Sequence, residues 1–379
     1  MLSSHREANE IPEVKLTNIS KKFGEVIAVA SVNLTVRNGE YVALLGPSGC
    51  GKTTTLRIIA GLTMPTEGEV FIDGNEVTYA PSGDRDIGFV FQHFEIFPFW
   101  DVWDNVGYGP KLRGLDDTES EERVWEALET TRLTDKVDNF PDELNTPELQ
   151  RVGVARALAT GAKLMLFDEA LGALDPKLKY SFFQHELRKI VKKKKLTAIH
   201  VTHDQREAMA IADRIIVMRQ GKILQVGTPT ELYYSPNSIF VANFLGESNF
   251  IEGVVTKVTE KGSEIRLWDG SILRFNEKTI KRGSRVVLSI RHELLKLYSI
   301  ERLGAINFVP GELVGYRFLG DRHSYDILLD SGETIGVKEF ARAPPSFNLE
   351  DKVTVKVDTS LAVVFPYPEE GIGSSLSLE

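Results

Sequence analysis

Gly46-Pro47-Ser48-Gly49-Cys50-Gly51-Lys52-Thr53 follows directly on the apolar run Tyr41-Val42-Ala43-Leu44-Leu45, and this junction decides the fold of the first half of the chain. An apolar strand that empties into G-x-x-x-x-G-K-[ST] and runs on into a helix is a phosphate loop. Its glycines let the backbone curl until successive N–H groups converge on one point. The helix expected over 53–60 adds the positive end of its dipole to the same point. Lys52 is placed to reach β- and γ-phosphates, and the Thr53 hydroxyl to ligate Mg²⁺. The stretch therefore predicts binding of a nucleoside triphosphate with Mg²⁺.

The chain has 379 residues, a length that suggests two domains. It is 42% hydrophobic and 26% charged, ordinary for a globular protein, and holds no apolar run of membrane-spanning length. Its beginning, Met1-Leu2-Ser3-Ser4-His5-Arg6-Glu7, lacks the apolar centre of a secretory signal. A formal net charge of −9 argues against general nucleic-acid affinity. The single cysteine, Cys50, excludes an intrachain disulfide, fits a reducing compartment, and reads as a small filler within the phosphate loop.

Two regimes follow one another along the chain. Up to about residue 240, short β-rich runs (14–19, 41–45, 87–91, 164–167, 197–201, 214–218) alternate with helical segments (53–60, 119–133, 147–160, 176–194, 205–212), the mark of an α/β fold. From about residue 250, short alternating strands with glycine turns take over. This second region repeats itself. Residues 264–275 followed by 283–291 correspond to 325–337 followed by 350–358, which predicts two small β-barrel-like units. The expected organisation is a tail over 1–12, an α/β nucleotide-binding domain over 13–242 with a helical subdomain at about 93–160, an all-β domain over 243–367, and a tail over 368–379.

Further motifs supply the remaining chemistry. Leu164-Met165-Leu166-Phe167-Asp168-Glu169 is an apolar strand ending in two acids, so Asp168 can orient the Mg²⁺ shell and Glu169 can polarise the attacking water. His203, after the strand Ile199-His200-Val201-Thr202, can donate to the γ-phosphate and hold the water in line. His200 reads as a strand-end histidine satisfied by backbone. Gln92, just past the strand at 87–91, can reach the Mg²⁺ or the water.

Taken together, Gly46–Thr53, Gln92, Asp168-Glu169, Ala173-Leu174-Asp175 and His203 resemble, in order and spacing, the nucleotide-binding subunits of ATP-binding cassette (ABC) transporters. The resemblance implies an ATPase on the cytoplasmic face of the membrane, with ATP and Mg²⁺ as cofactors. It assigns Gly46, Pro47, Ser48, Gly49, Cys50, Gly51, Lys52, Thr53, Thr54, Gln92, Asp168 and His203 to the nucleotide, and Thr53, Gln92 and Asp168 to the metal. Glu169, His203 and Gln92 become catalytic, Asp175 the D-loop acid, and Phe23, in Lys21-Lys22-Phe23-Gly24, the adenine-stacking aromatic; composition alone would make Phe23 a core residue. The β-rich region, with Ser289-Ile290-Arg291 and Phe318-Leu319-Gly320, looks like the C-terminal oligomer-binding-fold extension of maltose- and polyamine-type importers. Implied partners are a second ATP-binding subunit, two transmembrane permease subunits and an extracellular solute-binding protein, with no nucleic acid. The aromatics between Phe91 and Trp103 sit where that family receives a helix of the permease.

One motif departs from the family. Where it carries Leu-Ser-Gly-Gly-Gln, this chain reads Leu144-Asn145-Thr146-Pro147-Glu148. In the family this signature caps the γ-phosphate held by the opposite subunit. Pro147 has no N–H to offer, Thr146 brings a Cβ to a point of close approach, and Glu148 sets an anion near a polyanion, a repulsion of ~4 kcal/mol per charge pair at ~4 Å and a dielectric of ~20. Thr146-Pro147-Glu148 is nevertheless a good helix start, with Thr146 as the expected cap. Ala170 and Gly172 are lesser departures. The expectation is a heterodimer with one competent ATP site; the alternative is a catalytically weak homodimeric or regulatory ATPase. The cargo expected is a small solute, sugar or polyamine-like.

Overall fold

The computed structural model describes residues 13–170, 186–260, 262–276, 281–299 and 305–377. They divide into two compact units between Pro229 and Thr230.

The first unit holds strands β1 (Val14–Phe23), β2 (Val26–Val36), β3 (Tyr41–Leu45), β4 (Glu67–Ile72), β5 (Asn75–Glu76), β6 (Ile87–Val90), β7 (Leu164–Asp168), β8 (Thr197–Thr202), β9 (Arg214–Arg219) and β10 (Lys222–Gly227). Its helices are α1 (Lys52–Ala60), α2 (Val102–Leu112), α3 (Asp117–Thr131), α4 (Thr146–Ala159), α5 (Arg188–Lys193) and α6 (Gln205–Ile211). Two sheets result: an antiparallel one ordered β2-β1-β4-β5, and one ordered β10-β9-β3-β8-β7-β6. In the second, β9, β3, β8, β7 and β6 run parallel and only the edge strand β10 is antiparallel. Tyr41–Leu45, Leu164–Asp168 and Thr197–Thr202 are buried at every position, which is why they read as continuous apolar runs rather than alternating ones.

Each face of this parallel sheet has its own core. Val42, Leu44, Leu166, Ile199 and Val201 pack with Leu56 and Ile59 of α1 on one face. Tyr41, Met165, Phe167 and Ala198 pack with Val154 of α4 and Val191 of α5 on the other. A third cluster, built from Val106, Val124, Leu128, Val152 and Ala155, joins α2, α3 and α4 into the helical subdomain. The sequence pattern missed α2, because Gly107, Gly109 and Pro110 interrupt its helical spacing; Asp101 caps it by accepting from the Asp104 N–H. It also missed β2, whose outward side is exposed and polar.

The second unit begins with two short helices, α7 (Pro229–Tyr234) and α8 (Ile239–Phe244), and includes α9 (Ile372–Leu376). Ile239 and Ala242 pack with Val287 and Phe365 of the β-rich region, so by contact these helices group with the strands that follow them rather than with the α/β core. The strands are β11 (Ser248–Thr259), β12 (Gly262–Leu267), β13 (Ile272–Phe275), β14 (Arg285–Arg291), β15 (Leu295–Ser299), β16 (Phe308–Phe318), β17 (Arg322–Leu329), β18 (Thr334–Phe340), β19 (Lys352–Val357) and β20 (Val363–Pro366).

They form two five-stranded antiparallel sheets, ordered β13-β12-β11-β14-β20 and β18-β17-β16-β19-β15. The two orders are the same plan carried out twice. Each long first strand carries a register shift near its middle, between Val255 and Lys257 in β11 and between Leu313 and Gly315 in β16. Each has a glycine just before the shift, and a Cβ there would fall 2.6 Å from an isoleucine methyl of the next strand: Gly253 against Ile265, Gly311 against Ile327. The repeat in the sequence is thus a structural repeat down to its bulge, and both sheets share one apolar core. This is the oligomer-binding-fold-like architecture expected. Among the described residues, no helix is long and apolar enough to cross a membrane.

Candidate functional site

Because β3, β8, β7 and β6 are parallel, their C-terminal ends lie along one edge of the sheet. Leu45 opens there into Gly46, Thr202 into His203, and Asp168 into Glu169. Val90 is paired with Phe167, so the segment that carries Gln92 leaves the sheet level with Asp168. Ligands of open α/β sheets bind at this edge.

Glycine is required in the loop for two different reasons. A Cβ on Gly46 would lie 2.3 Å from Met218 O and 2.6 Å from Cys50 Sγ, so β9 leaves no space. Gly49 has open space but a φ of +77°; Gly51 has a φ of +100° and Ala28 O only 2.3 Å from where a Cβ would sit. The N–H groups of Gly49, Gly51 and Thr53 meet no acceptor among the described residues, and that of Lys52 faces only the Cys50 thiol. Three donors without a partner around the N-terminus of α1 are what a phosphate group satisfies. Lys52 is buried in the same loop, its Nζ donating to Gly46 O and Pro47 O at 2.8 Å each. Burial pushes the Cys50 thiol above its ordinary pKa, against the pull of Lys52, so it is an inert filler and not a nucleophile. Ser48 is exposed at the loop tip, and Thr54 is half-buried in the first turn of α1.

The Thr53 hydroxyl donates to Asp168 Oδ1 at 3.0 Å. Asp168 is 3% exposed, and burial raises its carboxyl above the usual range against the pull of Thr53 and Arg57; Arg57 Nε is 3.8 Å from Oδ2. Among the described residues no cluster of three His, Cys, Asp or Glu side chains could hold a metal alone. That suits Mg²⁺ at a phosphate site, where one carboxylate, a hydroxyl, phosphate oxygens and water complete the shell. The unpartnered amides, the buried ammonium and the Thr53–Asp168 pair together fit Mg²⁺-ATP.

Glu169 has a φ of +45°, a strained conformation for a residue other than glycine. Its N–H is fixed on Val201 O at 3.0 Å. This turn carries its carboxylate across β8, where Oε2 lies 3.5 Å from His203 Nδ1. His203 is exposed, and Gln92 is exposed without a contact to Asp168. Phe23 ends β1 with 54% of its surface exposed and Lys21 Nζ 5.0 Å above its ring. It is therefore not the core residue its composition suggests. The hairpin that pairs Phe23 with Val26 runs on to Ala28, which lies against Gly51, and so adjoins the loop.

The departing motif forms the start of α4, one residue earlier than expected. Asn145, not Thr146, is the cap. Its Oδ1 accepts from Glu148 N at 3.0 Å, and Glu148 Oε2 accepts from Asn145 N at 2.9 Å, a reciprocal capping box. The second Glu148 oxygen lies 3.7 Å from Lys136 Nζ, so Glu148 is not the unpartnered anion the sequence suggested, and its repulsion of a phosphate is weaker than a bare charge would give. Pro147 has no N–H, and the amides of Asn145 and Glu148 are taken. Only Thr146 N–H is left at this end. Leu144 precedes the box, half-buried. Asp175, with Ala173 and Leu174, lies outside the described residues, as does Gly172.

His200 differs from expectation. It meets side chains rather than backbone, with Nδ1 hydrogen-bonded to Tyr41 Oη at 3.0 Å and Nε2 facing Glu207 Oε1 at 3.1 Å. Sequence reading also missed Arg156 of α4, which donates to Phe94 O at 2.6 Å and Glu95 O at 2.7 Å and so ties the loop after Gln92 to α4; an arginine facing two successive left-handed residues left no sequence signal.

The family profile described as "ABC transporter" matches residues 29–172. The chain is 47% identical over 238 residues to the "Fe(3+) ions import ATP-binding protein FbpC 1" of Haemophilus influenzae, covering 63% of this chain and 72% of that one. It is 40% identical over 346 residues to the "Spermidine/putrescine import ATP-binding protein PotA" of Nostoc sp., covering 90% of each. A solved dimer of the ATP-binding cassette MJ0796 bound to ADP and Pi superposes with a TM-score of 0.51 at 34% identity, covering 57% of this chain and 98% of that one. With its phosphate loop, its Thr53–Asp168 pair and these relatives, the chain belongs to the ATP-binding subunits of ABC importers, which bind Mg²⁺-ATP and couple its hydrolysis to transport.

Proposed function

We propose that this chain is the motor of an importer for a cationic solute of the polyamine or ferric-ion class, and that it works beside a non-identical ATP-binding subunit. Both named relatives carry cationic cargo, which favours that class over a sugar. In this reading Phe23 stacks on adenine, the amides of Gly49 to Thr53 and the Lys52 ammonium hold the phosphates, and Thr53, Asp168 and Gln92 take the metal. Mg²⁺ held by these residues would supply charge neutralisation at the transferring phosphoryl group. Glu169 polarises the attacking water and His203 holds it in line. The aromatic cluster of Phe97, Trp100 and Tyr108, with Phe99 exposed beside it, receives one of two transmembrane permease subunits on the cytoplasmic face, and an extracellular solute-binding protein delivers the cargo.

The contrast between two helix N-termini carries the heterodimer reading. The N-terminus of α1 has three amides without an acceptor, those of Gly49, Gly51 and Thr53. That of α4, which would face the partner's nucleotide, has used its amides on Asn145 and Glu148. Two identical copies would pair two good phosphate loops with two self-occupied signatures. A partner with an intact signature completes one full site over Lys52, Glu169 and His203. The test is ATP turnover of the purified chain alone and mixed with candidate partner subunits, with stimulation expected only in the mixture. Full turnover by the chain alone, abolished by Glu148→Ala, would refute the heterodimer and favour the homodimeric reading.

A further inference from the structure

We propose that Glu207, through a buried quartet with Tyr41, His200 and Thr202, is a positioning residue that sets His203 toward Glu169. The inference rests on the role given above to His203.

Four polar side chains are packed here where apolar ones are the norm. Tyr41 and His200 are 0% exposed, Thr202 3% and Glu207 6%. Their neighbours are apolar, with Tyr41 stacked on Phe167 at 6.4 Å. Burying this much polarity is costly, and two side-chain hydrogen bonds offset part of it, one between Tyr41 and His200 and one between Thr202 and Glu207. Tyr41 Oη is 3.0 Å from His200 Nδ1. Burial, and next the nearby Glu207 carboxylate, push the Tyr41 phenol well above its ordinary pKa, so the hydroxyl keeps its proton. His200 Nε2 faces Glu207 Oε1 at 3.1 Å, a close polar contact without hydrogen-bond geometry. The other carboxylate oxygen, Oε2, accepts from Thr202 Oγ1 at 2.9 Å.

The quartet ends on the backbone that carries His203. Thr202 Oγ1 accepts from Asp204 N at 3.0 Å, and the Asp204 carboxylate caps α6 by accepting from Arg206 N and Glu207 N. His203 is thus bracketed. The residue before it is tied to Glu207, and the residue after it is tied both to Thr202 and to the helix that bears Glu207. At the far end, Tyr41 begins β3, the strand that runs straight into the phosphate loop. Side chains therefore join β3 to β8 through Tyr41 and His200, and β8 to α6 through Thr202 and Glu207, on either side of the His200–Glu207 contact. The 3.5 Å separation of His203 Nδ1 from Glu169 Oε2 is the dimension it sets. Displacements of about 1 Å at such a point cost on the order of 100-fold in rate.

The test uses the full-length chain, alone and in the assembled transporter, with Glu207→Gln and Thr202→Val; both keep shape, and Thr202→Val removes the Asp204 N–H acceptor without leaving a cavity. Two quantities are read: amide hydrogen exchange at Asp204 in the chain alone, and kcat and KM for ATP in the complex. The expected result is at least tenfold faster exchange at Asp204, with the 41–45 amides unchanged, and kcat lower by about 10- to 100-fold at constant KM, the scale seen when an outer partner of a functional group is removed. Unchanged exchange at Asp204 in both variants overturns the proposal, as does faster exchange with kcat within twofold of the parent. A His203→Ala control that retains full kcat would instead remove the role assigned to His203, and so separates the two readings.

Discussion

Rebuilding the signature should convert this chain from one that cannot pair with itself into one that can. The perturbation is Asn145→Ser, Thr146→Gly, Pro147→Gly and Glu148→Gln, made in a Glu169→Gln background that slows turnover. Its stability cost follows from the contacts at the start of α4. Serine caps as well as asparagine, so the first change is close to neutral. Thr146→Gly costs a few tenths of a kcal/mol, about 0.4, as a helix-propensity difference. Pro147→Gly frees the unfolded chain and costs about 1 kcal/mol. Glu148→Gln can keep the reciprocal bond to Asn145 N but gives up about 0.5 kcal/mol of dipole interaction. The Lys136 contact at 3.7 Å, partly exposed on both sides, adds at most about 0.5 kcal/mol.

The sum is about 2 kcal/mol, which lowers Tm by roughly 4–8 °C for a domain of this size and leaves it folded. Against that cost, the helix gains an amide at position 147 and loses two side chains that obstruct a phosphate. The assay is light scattering on the eluting protein with and without saturating Mg²⁺-ATP. The Glu169→Gln parent is expected to stay monomeric in ATP, and the rebuilt chain to form a nucleotide-dependent dimer. A parent that dimerises on ATP as fully as the rebuilt chain refutes the reasoning, because the missing Pro147 amide, the Thr146 side chain and the Glu148 charge would then be no obstacle.

Gly46→Ala should abolish nucleotide binding, since a Cβ 2.3 Å from Met218 O forces the loop off β9; Gly49→Ala, strained only by its φ of +77°, should cost about 1–2 kcal/mol and keep measurable affinity for a fluorescent nucleotide. Phe23→Ala should weaken ATP binding by about 1–3 kcal/mol, the worth of one base–aromatic stack, and flatten the preference for adenine in competition titrations. Burial raises the Asp213 carboxyl, but donation from Lys192 and the Tyr41 N–H outweighs it and holds the pKa below the ordinary value. Its stabilisation is therefore present above the unfolded-state pKa and lost as pH falls through the folded one. Asp213→Asn should cost about 2 kcal/mol at pH 7, with the gap to the parent closing in acid, as read by denaturant melts across pH. Arg156→Lys loses the fork that spans Phe94 O and Glu95 O, so protease cleavage within 92–97 should accelerate while that within β3 does not.

What the sequence made legible was whatever a local period or a fixed spacing encodes. The fully buried strands Tyr41–Leu45, Leu164–Asp168 and Thr197–Thr202 stand out because both of their faces meet apolar layers. The phosphate loop stands out because its glycines and its Lys-Thr pair sit at a fixed distance from such a strand. What stayed hidden depends on residues far apart in the chain. The partner of His200 is Tyr41, 159 positions away, and no local rule pairs them. Glu148 read as a bare charge because its Lys136 neighbour comes from the loop after α3, outside the helix that Glu148 begins. Helix α2 was hidden for the opposite reason, since its local propensity argues against the helix that packing on α3 and α4 imposes.

The doubled β-rich unit shows how far spacing can take a reading and where packing must finish it. The two copies share few identities, yet the same strand order, the same mid-strand bulge and the same glycine recur. Gly253 and Gly311 explain why the plan survives. Each permits a crossing strand to approach closely enough that a Cβ would strike an isoleucine methyl at 2.6 Å, and the bulge beyond it bends the long strand so that five short strands can curl round one core. Substituting either glycine by alanine should therefore destabilise the unit by the same route, an overpacked contact of about 1–3 kcal/mol. The pair of variants should match within measurement, because one constraint is met twice. A large difference between them would show that the second copy has found another way to close.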